Sequence, residues 1–248
     1  MVKLSVNVNK VATVRNSRGG RVPSVLDAVR VCIDAGAPGI TVHPRADARH
    51  ITVADVQEIA DELGPLRGRG EYNIEGDPRP DLVDLVRAVR PDQCTLVPVM
   101  AGEITSQAGW PAETPRAPLE RTIALLASAG IRVSLFVDPR PDAIQGARHV
   151  GAQRVELYTE PFARAFERGP KAAAESYEQY VAAAECAHQL GLGVNAGHDL
   201  DLQNLMIFRS LPHLDEVSIG HALISRSLFV GLRQAVRDYL QALTPEST

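Results

Sequence analysis

With 248 residues, 45% of them hydrophobic and 23% charged, the chain has the composition of a globular protein with one extensive core. A net charge of -4 excludes the broad basic field of a nucleic-acid binder, but leaves room for small anion pockets built from a few basic groups. No apolar run can span a bilayer, the amino terminus is too polar for a signal peptide, and Cys32, Cys94 and Cys186 form no CxxC pair. The expectation is a soluble, reduced, cytoplasmic protein with no membrane attachment.

In chain order, strand-like runs alternate with helical patterns. "KLSVNVN" reads as the first strand and "SVLDAVRVCIDAG" as a helix, capped by Ser24 and stopped by Gly36. "GITVH" precedes "TVADVQEIADELG", where Thr52 and an acidic first turn suit a helix start. "EYNIEG" is followed by the helix "RPDLVDLVRAVRP", and "QCTLVPV" by a long loop that ends at "PLERTIALLASAG". "RVSLFVD" leads to "PDAIQGARHVGA", and "RVELYTE" to an Ala- and Glu-rich stretch with room for an extra helix. "GVNAGH" precedes a helix around "LDLQNLMIFRSL", and "EVSIGH" a final helix that ends near Leu243. Eight strand–helix units without a linker, in roughly the 250 residues usual for the fold, predict a single (β/α)8 TIM barrel with extra helices over residues 1–248. An open dinucleotide-binding sheet would need GxGxxG after the first strand, and "VNVNKVATVRNSRGG" is not that motif.

Barrel enzymes work at the C-terminal ends of their strands, so strand-end residues are the candidates. The first gives Asn7, Asn9 and Lys10, with Arg15 and Arg18 downstream, and the second gives His43, Arg45, Arg49 and His50. The third gives Glu75, the fourth Glu103, Thr105 and Ser106, and the fifth Asp138. Glu156, Tyr158 and Glu160 close the sixth, His198 and Asp199 the seventh, Gly220 and His221 the eighth. Four of the seven histidines fall here, and imidazole titrates near neutrality, so His43 and His198 suit proton transfer. Glu75 reads either as a general base or as an ion-pair partner of Arg45 or Lys10. The histidines lack metal-ligand spacing, so no metal is expected. Arg18, Arg45, Arg49 and Lys10, with the free N–H groups of the last helix, suit phosphate, although Arg49 and Glu160 also suit a solvated rim. The ligand class is therefore a small phosphorylated metabolite. The 100–118 loop, with Trp110 and several glycines, has the length of a closing lid over 102–110.

The motifs "SVNVNKVATVRNSR", "GITVHPRADARHIT", "YNIEG", "LVPVMAGEITSQAGW", "VSLFVD", "VELYTEPFA", "GVNAGHDL" and "SIGHALISRSL" together resemble the pyridoxine 5'-phosphate synthase family, in order and over nearly the whole chain. That resemblance implies condensation of 3-amino-2-oxopropyl phosphate with 1-deoxy-D-xylulose 5-phosphate, no cofactor, and a homo-octamer. It places catalytic roles on His43, Glu75 and His198. Substrate contacts fall on Asn7, Asn9, Lys10, Arg18, Arg45, His50, Thr105, Asp199, Gly220 and His221. The chain departs from the commoner family pattern at Asn9, Lys10, Val99, Tyr158, Glu160 and Asp199, positions that bear on ketose-phosphate binding. A paralogue with another substrate, a phosphosugar isomerase or aldolase, and a non-catalytic binder are the alternatives. An aldolase would place a Schiff-base lysine at a central strand end, and a binder has no need of three proton-moving groups.

Overall fold

A computed structural model describes residues 1–66, 70–98, 108–111, 114 and 116–244. The strands are β1 Lys3–Asn7, β2 Gly39–Val42, β3 Glu71–Gly76, β4 Gln93–Leu96, β5 Arg132–Val137, β6 Arg154–Tyr158, β7 Gly193–Gly197 and β8 Leu214–Ile219. All pair in parallel in sequence order, and β8 returns to β1 to close the barrel. The first helices are α1 Asn9–Asn16, α2 Val25–Asp34, α3 Val53–Leu63, α4 Pro80–Val89, α5 Arg116–Ser128 and α6 Pro141–His149. After β6 come α7 Glu160–Glu167 and α8 Pro170–Gln189, then α9 Leu205–Phe208, and after β8 α10 His221–Val230 and α11 Leu232–Leu243.

Side chains alternate across each strand, and here the two faces differ sharply in chemistry. Leu4, Val6, Ile40, Ile74, Leu96, Leu135, Leu157 and Val217 join the helices in a continuous apolar core outside the barrel. The alternate positions fill the lumen with polar groups, where barrels usually carry branched aliphatics. Burial obliges these groups to pair. Ser5 and Thr41 hydroxyls meet at 2.6 Å, Thr95 donates to Asn73 at 3.1 Å, and Gln93 donates to Thr95 at 3.3 Å. At the N-terminal end Glu71 accepts from Lys3 and Arg132, while Asn195 links Arg154 to Glu216.

Local chemistry explains where the elements depart from the sequence expectation. The first strand stops at Asn7 rather than Asn9, because the Asn7 side chain accepts from the Asn9 N–H at 3.0 Å and turns the chain into α1. The helix expected over 200–211 shrinks to α9. Asp201 accepts from the N–H groups of Gln203 and Asn204, and Asn204 accepts from that of Asp201, so side chains take the place of helical bonds. The final helix is two, broken at Gly231 with φ +82°. Ser24 and Thr52 cap as expected, and Thr52 forms a reciprocal capping box with Asp55. Among the described residues, no helix is long and apolar enough to cross a membrane.

Candidate active site

The C-terminal mouth of the barrel holds a cavity of about 470 Å³. Of the thirteen site residues expected from the sequence, eleven line it: Asn7, Asn9, Lys10, His43, Arg45, His50, Glu75, His198, Asp199, Gly220 and His221. Arg18 is exposed beyond α1 and does not line the cavity, and Thr105 lies outside the described residues. Val99, Glu103 and Ser106 lie outside them as well. Thr13, Arg49, Glu156 and Ser218 complete the lining. A larger cleft of about 660 Å³ sits at the opposite end around Lys3, Glu71 and Arg132, whose charges are satisfied by one another.

His43 follows β2 and is buried; its backbone N–H donates to the Asn9 side chain at 2.9 Å. Its Nδ1 stands 3.9 Å from the carboxylate of Glu75, beyond hydrogen-bond reach, and its Nε2 is buried without a partner. Glu75 therefore faces His43 rather than making the expected ion pair with Arg45 or Lys10. Burial drives the His43 pKa well below the ordinary imidazole range, helped by His50 and Arg45. Burial likewise drives Glu75 well above the carboxylate range, reinforced by Glu156 and Glu216. Burial thus disfavours the charged form of both groups and weighs against an ion pair between them.

The β2 loop is clamped from behind. Arg79 donates to the Pro44 carbonyl at 2.6 Å while pairing with Asp77 and Asp81. Arg15 pairs with Asp55 and donates to the His50 carbonyl at 3.1 Å. His50 Nδ1 accepts from the Ile51 N–H at 2.9 Å, which leaves its Nε2 as the protonated nitrogen of the neutral ring. Its pKa is lowered to about 4 by burial and by Arg45 and Lys10. Arg45 is itself only 8% exposed, whereas Arg49 is exposed and held by Asp47 in its own loop.

His198 and Asp199 occupy left-handed backbone at φ +80° and +56°, a strained conformation for residues with a Cβ. The Thr159 hydroxyl secures that turn by donating to the carbonyls of Gly197 and His198. Burial lowers the His198 pKa, opposed by Asp199, and its Nδ1 is buried without a partner. Gly197 leaves room for Glu156 here, since a Cβ would lie 2.5 Å from its Oε1 and the carboxyl would have to shift. Glu156, its other oxygen buried and unpartnered, is pushed up to about 8 by burial and by Glu216. Sequence reasoning placed Glu156 at a strand end but gave it no role; its alternation with Arg154 and Tyr158 was the available signal. Thr13 was missed with α1, on which it lies one turn from Asn9.

Of the long loop, residues 108–111 are described, and this end is docked rather than free. Trp110 donates its indole N–H to the Leu96 carbonyl at 2.8 Å, and the Gly109 N–H meets Asp138 at 2.9 Å. A Cβ on Gly109 would collide with the backbone of Asp138. The rest of the expected lid, 102–107, lies outside the described residues. Among the described residues, no three His, Cys, Asp or Glu side chains are grouped as a metal would require.

A closed parallel barrel with a buried carboxyl, three imidazoles of lowered pKa and a buried arginine around one mouth has the make-up of an acid/base enzyme of the (β/α)8 class. The chain belongs to the family described as "Pyridoxal phosphate biosynthesis protein PdxJ", whose model matches residues 4–245. It is 50% identical to the pyridoxine 5'-phosphate synthases of Christiangramia forsetii and Bacteroides thetaiotaomicron, covering 98% of this chain and 100% of each relative. It is 47% identical to that of Leptospira biflexa, over 98% of both chains. Among solved structures it is similar in fold to 3-hexulose-6-phosphate synthase from Salmonella typhimurium, at TM-score 0.66 and 14% identity, covering 98% of each chain. Phosphoribosyl anthranilate isomerase from Thermotoga maritima matches at TM-score 0.60 and 12% identity, again over 98% of each chain.

Proposed function

We propose that this chain is a pyridoxine 5'-phosphate synthase. It joins 3-amino-2-oxopropyl phosphate to 1-deoxy-D-xylulose 5-phosphate and releases pyridoxine 5'-phosphate, inorganic phosphate and water. The observation that carries the reading is the half-identity to named synthases over the full length, with His43, Glu75 and His198 around one cavity.

The chemistry matches those groups. Amine and ketone must join as an imine, a phosphate must leave, and the ring must close and aromatise with loss of water. Each step moves a proton, and each needs a group already in the right protonation state. Glu75, whose neutral form burial favours, supplies a proton to a departing oxygen; His43 and His198, whose free-base forms burial favours, accept protons from nitrogen or carbon. Two phosphates enter, so two anion sites are required. Arg45 and Lys10 form one cationic wall, with the neutral His50 beside them offering its Nε2–H as a donor, and the free N–H groups opening α10 at Gly220 and His221 form the other. Arg18, Thr105 and Asp199 remain substrate contacts by resemblance. The working form is a cytoplasmic homo-octamer.

The test is direct. Purified protein mixed with both substrates is expected to generate pyridoxine 5'-phosphate, followed by absorbance, with stoichiometric phosphate release. Phosphate release without the pyridine chromophore, or turnover of another ketose phosphate alone, would replace this reading with that of a paralogue.

A further inference from the structure

The lumen is polar at nearly every inward position, with one exception beside His198. Val97, Phe136 and Tyr158 form a separate apolar cluster at the upper ends of three consecutive strands, directly above the polar Thr95, Ser134 and Glu156. A histidine in an active site is usually oriented by a hydrogen bond to the ring nitrogen that faces away from the reaction. His198 has no well-formed bond of that kind: its Nδ1 is buried and unpartnered, and only the neighbouring Gly197 carbonyl acts on the ring, in the direction that raises its pKa. Two rings hold it instead: Phe136 at 4.8 Å and 56°, and Tyr158 at 5.7 Å and 81°, nearly edge-on. Tyr158 is in turn anchored at both ends. Its phenol donates to Glu160 at 3.1 Å, Glu160 accepts from Arg164 at 3.0 Å, and its backbone carbonyl accepts from the buried Tyr180 hydroxyl at 2.7 Å.

We propose that Tyr158 is a positioning residue for His198: with Phe136, whose ring it meets at 5.4 Å, it forms a two-ring aromatic seat along one side of the imidazole that fixes its plane and keeps it dry, braced from the rim by Glu160 and Arg164. This rests on the reading of His198 as a proton-moving group. The seat does in apolar contact what a carboxylate or carbonyl partner does elsewhere, and it avoids the cationic bias that a carboxylate would add. The titratable groups facing His198 are Asp199 beside it, Glu156 and Tyr158 on β6, and His221 at the start of α10. Across the lumen stand His43 and Glu75, and beyond β5 Asp138. Of these, Asp199 favours the imidazolium, and burial outweighs it.

Two variants test the seat, read by kcat and KM against pH and by the NMR titration of the His198 ring, assigned with His198→Gln. In Tyr158→Leu, kcat is expected to fall about 10- to 100-fold, as for a mis-set catalytic group, with KM for both substrates changed less than about twofold. Water entering beside the imidazole raises its pKa towards 6.5, so the acid limb of the profile and the NMR midpoint move together to higher pH. Tyr158→Phe keeps the ring and loses only the brace to Glu160, and is expected to return both most of the way to their wild-type positions. Should Tyr158→Leu not fold, Phe136→Leu removes the other ring of the seat and is expected to move the same two midpoints. A folded leucine variant with the wild-type His198 midpoint and acid limb overturns the seat, provided His198→Gln is inactive. If His198→Gln turns over like wild type, it is the catalytic reading of His198 that falls.

Discussion

Glu75 and His43 stand 3.9 Å apart, and burial penalises the charged form of both. The sign of the pH dependence follows. The His43 and His198 pKa values are lowered, so the bases stay free until the pH falls below the ordinary imidazole value of 6.5. Glu75 is raised, so the acid is lost only as pH climbs well past 4.5. A pH–rate profile is therefore expected to be flat around neutrality, with its acid midpoint below 6.5. Glu75→Gln is expected to lower kcat about 10²- to 10⁴-fold, the usual contribution of a positioned acid/base group, and to abolish the alkaline limb. Wild-type turnover in that variant would make Glu75 a structural residue. Arg45 answers a different question. Calorimetry on Arg45→Ala is expected to show a much larger loss of affinity for a phosphorylated ligand than for its dephosphorylated analogue, since the buried guanidinium contributes most at a phosphate oxygen. Equal losses would assign it to packing.

The elements that carry these side chains are held by contacts the chemistry does not see. Arg79, at the start of α4, reaches over to the Pro44 carbonyl and thereby fixes the loop that presents His43 and Arg45. Arg79→Ala is expected to raise KM for phosphorylated substrate more than it lowers melting temperature, and steady-state kinetics beside a thermal melt will separate the two. At the start of α3, Thr52→Ala removes half of the capping box and should cost about 1 kcal/mol in denaturant unfolding. Much of this layer is legible in the sequence, since "KLSVN", "EYNIE" and "RVELY" alternate polar with apolar residues and end in chemistry-bearing side chains. What is not legible depends on neighbours remote in the chain. Whether "NVN" continues a strand or starts α1 is decided by the Asn7 side chain closing on the Asn9 backbone and by Val8 pairing with Thr41. The position of Glu156 is decided by Gly197 on the adjacent strand, and the setting of His198 by Phe136 and Tyr158 on two others.

For the whole molecule, the lumen carboxyls couple stability to pH. Glu156 is pushed up to about 8 and Glu216 to about 7, chiefly by burial, against 4.5 for an ordinary glutamate. The folded chain then holds protons that the unfolded chain releases, so this stability is fully present below 4.5 and is lost as pH rises towards about 8. His43 and His198 act oppositely, losing stability as pH falls below 6.5. Glu156→Gln is expected to melt like wild type near pH 5. By about pH 9 it should be the more stable protein, by an amount on the order of 5 kcal/mol at full ionisation. Parallel melting curves at both pH values would show that Glu156 ionises in the fold without penalty. The separation of an apolar annulus outside the strands from a polar column inside them has a further effect. Cohesion resides in one and chemistry in the other, and only the backbone between them is shared. Exchanges at Asn9, Lys10 or Glu160 therefore change what the mouth can hold while leaving the annulus packed as before. Such a scaffold can drift towards a neighbouring ketose phosphate through viable intermediates, because each step alters the cup and not the staves.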